Sequence, residues 1–406
     1  MVRVHDAVVV GAGPGGAATA HFLSAQGADV LLLDRAEFPR DKTCGDGLTP
    51  RAVRMLEAIG VLDDVAAQAC RVDAYQVVAP NGRVTTAPLG DAHQALVTPR
   101  LRLDHLLLRR AIQTGSRFEP DVRVIHLEPN ARTVRVHADT HRTFDARVAV
   151  IATGAATDVL RRSGILARQP RTMLAARAYV DDLPHDLPQH FQFRFDAATL
   201  PGYGWVFPLD RRSANIGVCF LPGRPATQTA ARAFQRFING PRMRRLLRGS
   251  RQVGPLRGYP IRMDFPSAPT SAERTLLVGE AAGLVNPLTG EGIDYALESG
   301  RIAADHVVQA LRSGVHDTWG TEYDRLLRAR FERLFRFSAW MRDWYCRPPL
   351  LNVLVALANR YPELRQLLAS MLLGQREPHG YGPAESAARL IWYLARRPRR
   401  KCSQHD

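Results

Sequence analysis

Tyr203, Trp205 and Phe207 stand at every second position of the stretch LPGYGWVFPL, and Pro208 closes the run. Alternation with period two is a strand pattern, and on a strand these three rings point to one face. Such a face is an apolar wall. It serves either as a core strand, since aromatic residues favour strands, or as the side of a cavity that grips an apolar molecule. Far upstream, Gly11, Gly13 and Gly16 give the spacing G-x-G-x-x-G. There the first glycine permits a tight turn, the second lets backbone approach a pyrophosphate, and the third lets a helix pack on a strand. Between these groups lies RDKTCGDGLTP, with Cys44 followed by Gly45. Cys44 is either a small packing residue behind a loop or a group facing a ligand. Nothing in the sequence depresses its thiol pKa, so it is not assigned as a nucleophile.

The elements around the glycines fix what they bind. Residues 7–10, AVVV, suit a buried parallel strand. A helix runs from the glycine turn to near Gly27, and the apolar run ADVLLLD ends at Asp34, 23 residues after Gly11. An acid there accepts hydrogen bonds from a ribose, and Arg35 follows it. Strand, turn, helix, strand and terminal acid in this order indicate a dinucleotide site. Two later segments belong with it. VAVIATGA (148–155) is a strand ending at Gly154. RTLLVGEAAGLVNPLTGEGIDYALESGRIAADHV (274–307) holds a strand, Glu280, a loop with Gly290 and Gly292, and a long helix opening at Ile293. Pieces this widely spaced converge on one large cofactor. A nicotinamide site has no need of the late glycine loop. A flavin does, because the acid holds ribityl hydroxyls and the helix N-terminus stabilises negative charge on the reduced ring. The expected cofactor is FAD.

The totals bound the rest. The chain has 406 residues, 46% of them hydrophobic, enough for two intimate domains and a substantial core. The five cysteines are scattered and form no C-x-x-C pair, so neither a zinc site, another metal site nor a disulfide framework is expected. No run of eighteen apolar residues occurs, and the start MVRVHDAVVVGAG lacks the layout of a secretory signal. A cytoplasmic protein is expected. The formal net charge is +16, nearly all of it from arginine, because Lys42 and Lys401 are the only lysines. Such a surface attracts anions, or it reflects a compositional preference for arginine. Residues 319–401 are helical in pattern and carry 16 basic against 7 acidic residues, a net +9. Their end, RLIWYLARRPRRK, alternates apolar and basic residues around Trp392 and Tyr393. That pattern suits either peripheral contact with the anionic inner face of the cell membrane or a helix packed on the core with a basic tail. No motif points to nucleic acid, and none is expected as a partner.

The motifs Gly11–Gly16, RDKTCGDGLTP (40–50), LPGYGWVFPL, ANIGV (214–218) and VGEAAGLVNPLTGEGIDYALESGR resemble the geranylgeranyl reductase family. This family lies within the flavoproteins of p-hydroxybenzoate-hydroxylase fold, and the resemblance is nearest to its bacterial menaquinone reductases. It covers residues 1 to about 310 in order. It implies an α/β fold with a discontinuous Rossmann-like FAD-binding domain (1–69, 99–169 and 270–315). It further implies an interleaved antiparallel sheet domain for substrate (70–98 and 170–269) and a C-terminal helical region (316–406). By the same resemblance Tyr203, Trp205, Phe207 and Pro208 line the cavity for an isoprenoid. Cys44 and Gly45 lie beside the isoalloxazine, with Cys44, Tyr203 and Trp205 as catalytic candidates. Arg100, in preference to Arg102, approaches the flavin and its phosphates, and Asp104 reads as a structural cap.

The implied activity is saturation of isoprenoid double bonds by a hydride from reduced flavin. Tyr203, Cys44 and a bound water remain open as proton donors. Two departures stand out: Gly-Glu at 279–280 where the family has Gly-Asp, and ATGAATDVLRR without the Asp-Gly pair of aromatic hydroxylases. The second weakens the alternative of a monooxygenase or halogenase. It leaves the electron donor, NAD(P)H or a ferredoxin-like carrier, open. A non-catalytic flavin-binding regulator at the membrane is a third reading.

Overall fold

A computed structural model describes residues 3–90, 94–223, 228–314 and 319–372. Two large sheets organise it. In the first, the strands Thr275–Leu277, Thr143–Ile151, Val4–Val10, Val30–Leu33 and Arg117–Glu119 lie side by side, all parallel. The short strand Ser271–Ala272 pairs antiparallel at one edge, and the hairpin Val124–Pro129 and Val134–Ala138 extends from the strand Thr143–Ile151. Helices cover both faces, so the central strands are apolar runs without alternation: VLLL at 30–33 is buried throughout. The helix Pro14–Ala25 follows the first strand, with proline at its first position, where no backbone N–H is required.

The second sheet has seven strands in the order Arg251–Arg262, Thr172–Asp181, Ala214–Phe220, Gly202–Pro208, His190–Arg194, Ala74–Val78, Val84–Pro88. Its pairs are antiparallel except one: His190–Arg194 runs parallel to Ala74–Val78. One face carries the cluster of Tyr75, Phe191, Phe193, Tyr203, Trp205 and Phe207. The other carries Val206, Ile216 and Val218 under Phe234 and Phe237 of the helix Ala230–Ile238.

The structure amends the sequence reading here. The strands at 70–72 and 95–97 do not join the large sheet. They form a separate three-stranded sheet with Gly47–Leu48. The chain must leave the substrate side at Val97 to begin the helix Arg100–Thr114 three residues later, so this strand bridges the halves instead of extending one.

Beyond the long helix Ile293–Ser313, the helices Trp319–Tyr345, Pro348–Arg360 and Pro362–Leu372 continue as the 3.6-residue periodicity predicts. Asn352 Oδ1 accepts from the Asn81 amide at 3.0 Å, and Asn359 Nδ2 donates to the Val84 carbonyl at 2.9 Å, so this arm docks on the outer edge of the substrate sheet. The segment RLIWYLARRPRRK lies outside the described residues.

Candidate active site

A cavity of about 640 Å³ opens between the two sheets, and nearly every element singled out by sequence reaches it. At one end is the glycine turn. A side chain at Gly16 would place its Cβ 1.7 Å from the Gly11 carbonyl oxygen, and Gly11 itself has φ of +101°. The turn and the helix therefore close on each other as the spacing predicts. Asp34 ties the turn down: Oδ2 accepts from the Ala12 amide at 2.7 Å, and Oδ1 accepts from the Ala36 amide at 2.9 Å.

Basic groups face this turn. Arg100 is 4% exposed and grips Asp104 through two hydrogen bonds of 2.6 and 2.7 Å. That contact and the neighbouring thiol hold its guanidinium firmly charged despite burial. Arg40 pairs with the same carboxylate at 3.0 Å. Two cations thus share one anion and leave a net positive charge. Arg40 Nη1 is the nitrogen of that ion pair, and its Nη2 lies 3.5 Å from the position of a Gly13 Cβ. A guanidinium held beside a glycine turn is what a pyrophosphate oxygen would meet. Asp104 is therefore not the cap expected from sequence. The helix begins at Arg100 after Pro99, and Asp104 sits one turn inside it as the counter-ion of both arginines.

At the other end is the aromatic wall. Tyr203, Trp205 and Phe207 are 8%, 5% and 8% exposed, and all three line the cavity. The two alternatives in the sequence thus merge, for the wall is both packed and facing open space. Phe191 and Phe193 on the next strand extend it, with ring centroids 4.6 Å (Phe191–Phe207) and 5.3 Å (Phe193–Tyr203) apart. Pro208 does not belong to it. It has the parity of Gly204 and Val206, whose side of the strand packs against Phe237 and its neighbours.

The Cys44–Gly47 loop lies against this wall. A Cβ on Gly45 would come 3.1 Å from the Phe207 ring and 3.5 Å from Trp205 Nε1. A hydrogen-bond network locks the loop in place. Trp205 Nε1–H donates to Asn215 Oδ1 at 2.9 Å. Asn215 Nδ2 donates to the Cys44 carbonyl at 2.8 Å and to Asp46 Oδ2 at 2.7 Å. Tyr179 donates its hydroxyl to Asp46 Oδ2 at 2.7 Å. Burial raises the Asp46 pKa to about 6, against the pull of these donors. Asn215, Asp46 and Tyr179 were not singled out as site residues, although ANIGV and CGDG carry the first two. Trp205 has no free proton, because its N–H is already given to Asn215. Burial also pushes the Cys44 thiol up, which removes nucleophilic character at neutral pH.

The third side is the late segment. Glu280 Oε1 accepts from the Arg262 amide at 3.0 Å, and Oε2 faces Lys42 Nζ at 3.4 Å. The extra methylene relative to aspartate lets it reach these partners while it borders the cavity. Gly154, Gly290, Gly292 and Ile293 also border it, with Gly292 at the N-cap of the helix Ile293–Ser313. Arg35 lines the far end with Val122, Arg123 and Val124. Those three were missed, since a short valine-rich turn after a strand carries no distinctive sequence signal.

Comparison with known proteins agrees with this geometry. The model of the FAD binding domain family matches residues 4–337. A menaquinone reductase of Mycobacterium tuberculosis is 34% identical over 321 residues, 74% of this chain and 76% of its own length. The chain belongs to the geranylgeranyl reductase family of FAD-binding flavoproteins. Digeranylgeranylglycerophospholipid reductase 1 of Methanopyrus kandleri is 30% identical over 82% of this chain and 87% of its own length. A geranylgeranyl bacteriochlorophyll reductase-like protein of Thermoplasma acidophilum has the same fold, with a TM-score of 0.75 at 21% identity. It covers 91% of this chain and all of that one. This flavoprotein is an oxidoreductase with FAD as its cofactor, and its α/β architecture is the one its motifs imply.

Proposed function

We propose that this flavoprotein saturates double bonds of a polyprenyl chain carried by a quinone, a lipid or a diphosphate. One observation carries the reading: the glycine turn and the wall of Tyr203, Trp205, Phe207, Phe191 and Phe193 open into a single cavity. An isoprenoid offers no polar handle, so apolar area must hold it. Burying a ring face contributes on the order of 1 kcal/mol or more. Reduced FAD, when bound, supplies the hydride. The chain's own groups position the double bond and exclude water. Gly11, Gly13, Gly16, Asp34, Arg35, Arg40 and Arg100 serve the nucleotide end; Cys44, Gly45, Gly154, Glu280, Gly290, Gly292 and Ile293 serve the flavin end. Trp205, through Asn215, fixes the Cys44 loop against the substrate.

The helical arm supports a membrane-resident substrate. Trp344 is 55% exposed, and Leu350 and Val353 are 38% and 41% exposed, on a segment that also carries Arg347 and Arg360. Basic and apolar groups together suit an anionic bilayer surface. Among the described residues no helix is long and apolar enough to cross a membrane.

The test is anaerobic. Dithionite-reduced protein is mixed with menaquinone, geranylgeranyl diphosphate or a geranylgeranyl lipid, and mass spectrometry follows the addition of two hydrogens per double bond. A gain with one substrate names its head group. No gain with any, together with rapid oxygen consumption on an aromatic substrate with NADPH, overturns the reading in favour of a monooxygenase.

A further inference from the structure

Reducing an isolated alkene takes a proton as well as a hydride, and the groups so far described are poor donors. Tyr203 gives its hydroxyl hydrogen to the Thr289 carbonyl, and burial raises its pKa well above the ordinary value. The Cys44 thiol is likewise raised. Asp46 is saturated by Tyr179, Asn215 and the Arg100 amide, so its oxygens face protein rather than substrate.

A second acidic group borders the same cavity. Glu291 and Asp294 flank the N-terminus of the helix Ile293–Ser313, and both line the cavity with Tyr203, Phe191 and Phe193. Glu291 Oε2 is buried without a hydrogen-bond partner. Asp294 is 2% exposed and neither of its carboxylate oxygens has a partner. Tyr75, on the aromatic face of the sheet, is also 2% exposed with an unpartnered hydroxyl, and it lies within electrostatic reach of Glu291. Two unmatched carboxyls border the cavity beside the aromatic wall, and the unmatched Tyr75 hydroxyl sits in the same aromatic cluster of the sheet. Buried polar atoms are rarely left without partners unless a ligand, a water or a reaction uses them.

We propose that Glu291 is the general acid of the alkene reduction, with Asp294 as the second carboxyl through which it is reprotonated from solvent. The inference rests on the prenyl-reductase reading. As the hydride adds to one alkene carbon, the Glu291 carboxyl O–H bond breaks and its proton forms the new C–H bond at the other carbon. The π pair is consumed, the chain gains two hydrogens, and Glu291 is left as a carboxylate. Two anions in one buried pocket repel, which draws a proton back from water.

The groups around Glu291 are consistent with a neutral acid. Burial raises it well above the ordinary carboxyl value, and the Asp294 charge raises it further. Arg51, which pairs with Glu298 at 2.7 Å and lies over the Tyr295 ring, and the Thr289 hydroxyl pull the other way. Tyr75, Tyr203 and Tyr295 face the site as neutral phenols. Asp294, also buried, is raised to about 6, and the two carboxyls titrate as a pair.

Two measurements test this. The first needs no turnover. Infrared difference spectra of wild-type protein labelled with ¹³C-carboxyl glutamate are compared with unlabelled protein at pH 7. A neutral carboxyl carbonyl band that shifts with the glutamate label and is lost in Glu291→Gln is expected; absence of any label-sensitive neutral band overturns the inference. The second follows single turnover of prenyl substrate by pre-reduced holoenzyme. Glu291→Gln is expected to lower the rate about 10²- to 10⁴-fold, with flavin absorbance and flavin reduction retained. Glu291→Asp, which keeps the acid, is expected to recover at least about tenfold over Gln. A Gln variant within about threefold of wild type, or an Asp variant no faster than Gln, overturns the assignment. If wild-type protein reduces no prenyl chain, the reductase reading itself fails, a result the infrared band does not share.

Discussion

Arg40 is the residue whose removal should speak most directly to cofactor binding. Its Nη2 lies 3.5 Å from the position of a Gly13 Cβ, while its Nη1 pairs with Asp104, which it shares with Arg100. A hydrogen bond to a charged group contributes about 1.5–3 kcal/mol. Arg40→Ala should therefore weaken FAD about 10- to 100-fold, measured by titrating apoprotein with FAD and following flavin fluorescence. An unchanged affinity would remove Arg40 from the phosphate site. Asn215 makes a different prediction. Replacing it by leucine strands the Trp205 N–H, the Cys44 carbonyl and one donor to Asp46. Each stranded group costs about 1–3 kcal/mol, so Asn215→Leu should lower the thermal midpoint by several degrees even with FAD bound. Calorimetry of holoenzyme reads this.

At the scale of elements, the helix Ile293–Ser313 begins with a buried acid, and its titration shows in stability. Asp294 has an ordinary carboxyl value of 3.8 and is raised to about 6 in the folded protein. A raised acid favours folding while it is protonated. The contribution is full below about pH 4 and is lost as pH climbs through about 6, on the order of 3 kcal/mol. In FAD-free protein, Asp294→Asn should be comparable to wild type near pH 4 and more stable at pH 7, as read by urea unfolding at each pH. A constant difference across that range would contradict the assignment. The turn at the start of the helix Pro14–Ala25 is less forgiving. With only 1.7 Å between a Gly16 Cβ and the Gly11 oxygen, Gly16→Ala should yield protein without flavin colour.

Much of this was legible in the residues themselves. Gly11, Gly13, Gly16 and Asp34 act through backbone geometry that the local sequence dictates, and they stand where spacing put them. The period of Tyr203, Trp205 and Phe207 assigned one face correctly; Pro208 failed because the same period sends it to the other. Asp104 was misread because a counter-ion for Arg40 is a long-range fact, invisible in a window where an acid near a helix start looks like a cap. Glu291 and Asp294 hid inside a motif valued for its glycines.

At the scale of the molecule, the helical arm and the net charge of +16 make a prediction about surfaces. Vesicles containing anionic lipid should sediment with the protein, and uncharged vesicles should not. Binding should fall as salt shortens the screening length from about 10 Å at 0.1 M to about 3 Å at 1 M. Trp344→Ser, which removes an exposed ring without altering charge, should weaken the binding at any salt. Equal affinity for charged and uncharged vesicles would dissociate the arm from lipid recognition.

The parallel pairing of Ala74–Val78 with His190–Arg194 has a consequence for synthesis on the ribosome. From the end of one strand to the start of the other, 112 residues must be made, including the helix Arg100–Thr114 and the whole strand Thr143–Ile151. At 5–20 residues per second that is a wait of roughly 6–20 s. Until then the nascent hairpin 74–88 presents an unpaired edge and Tyr75 to solvent or to a chaperone. Neither half of the molecule can finish before the other has begun, so two halves of the chain should assemble when co-expressed and not when made apart and then mixed.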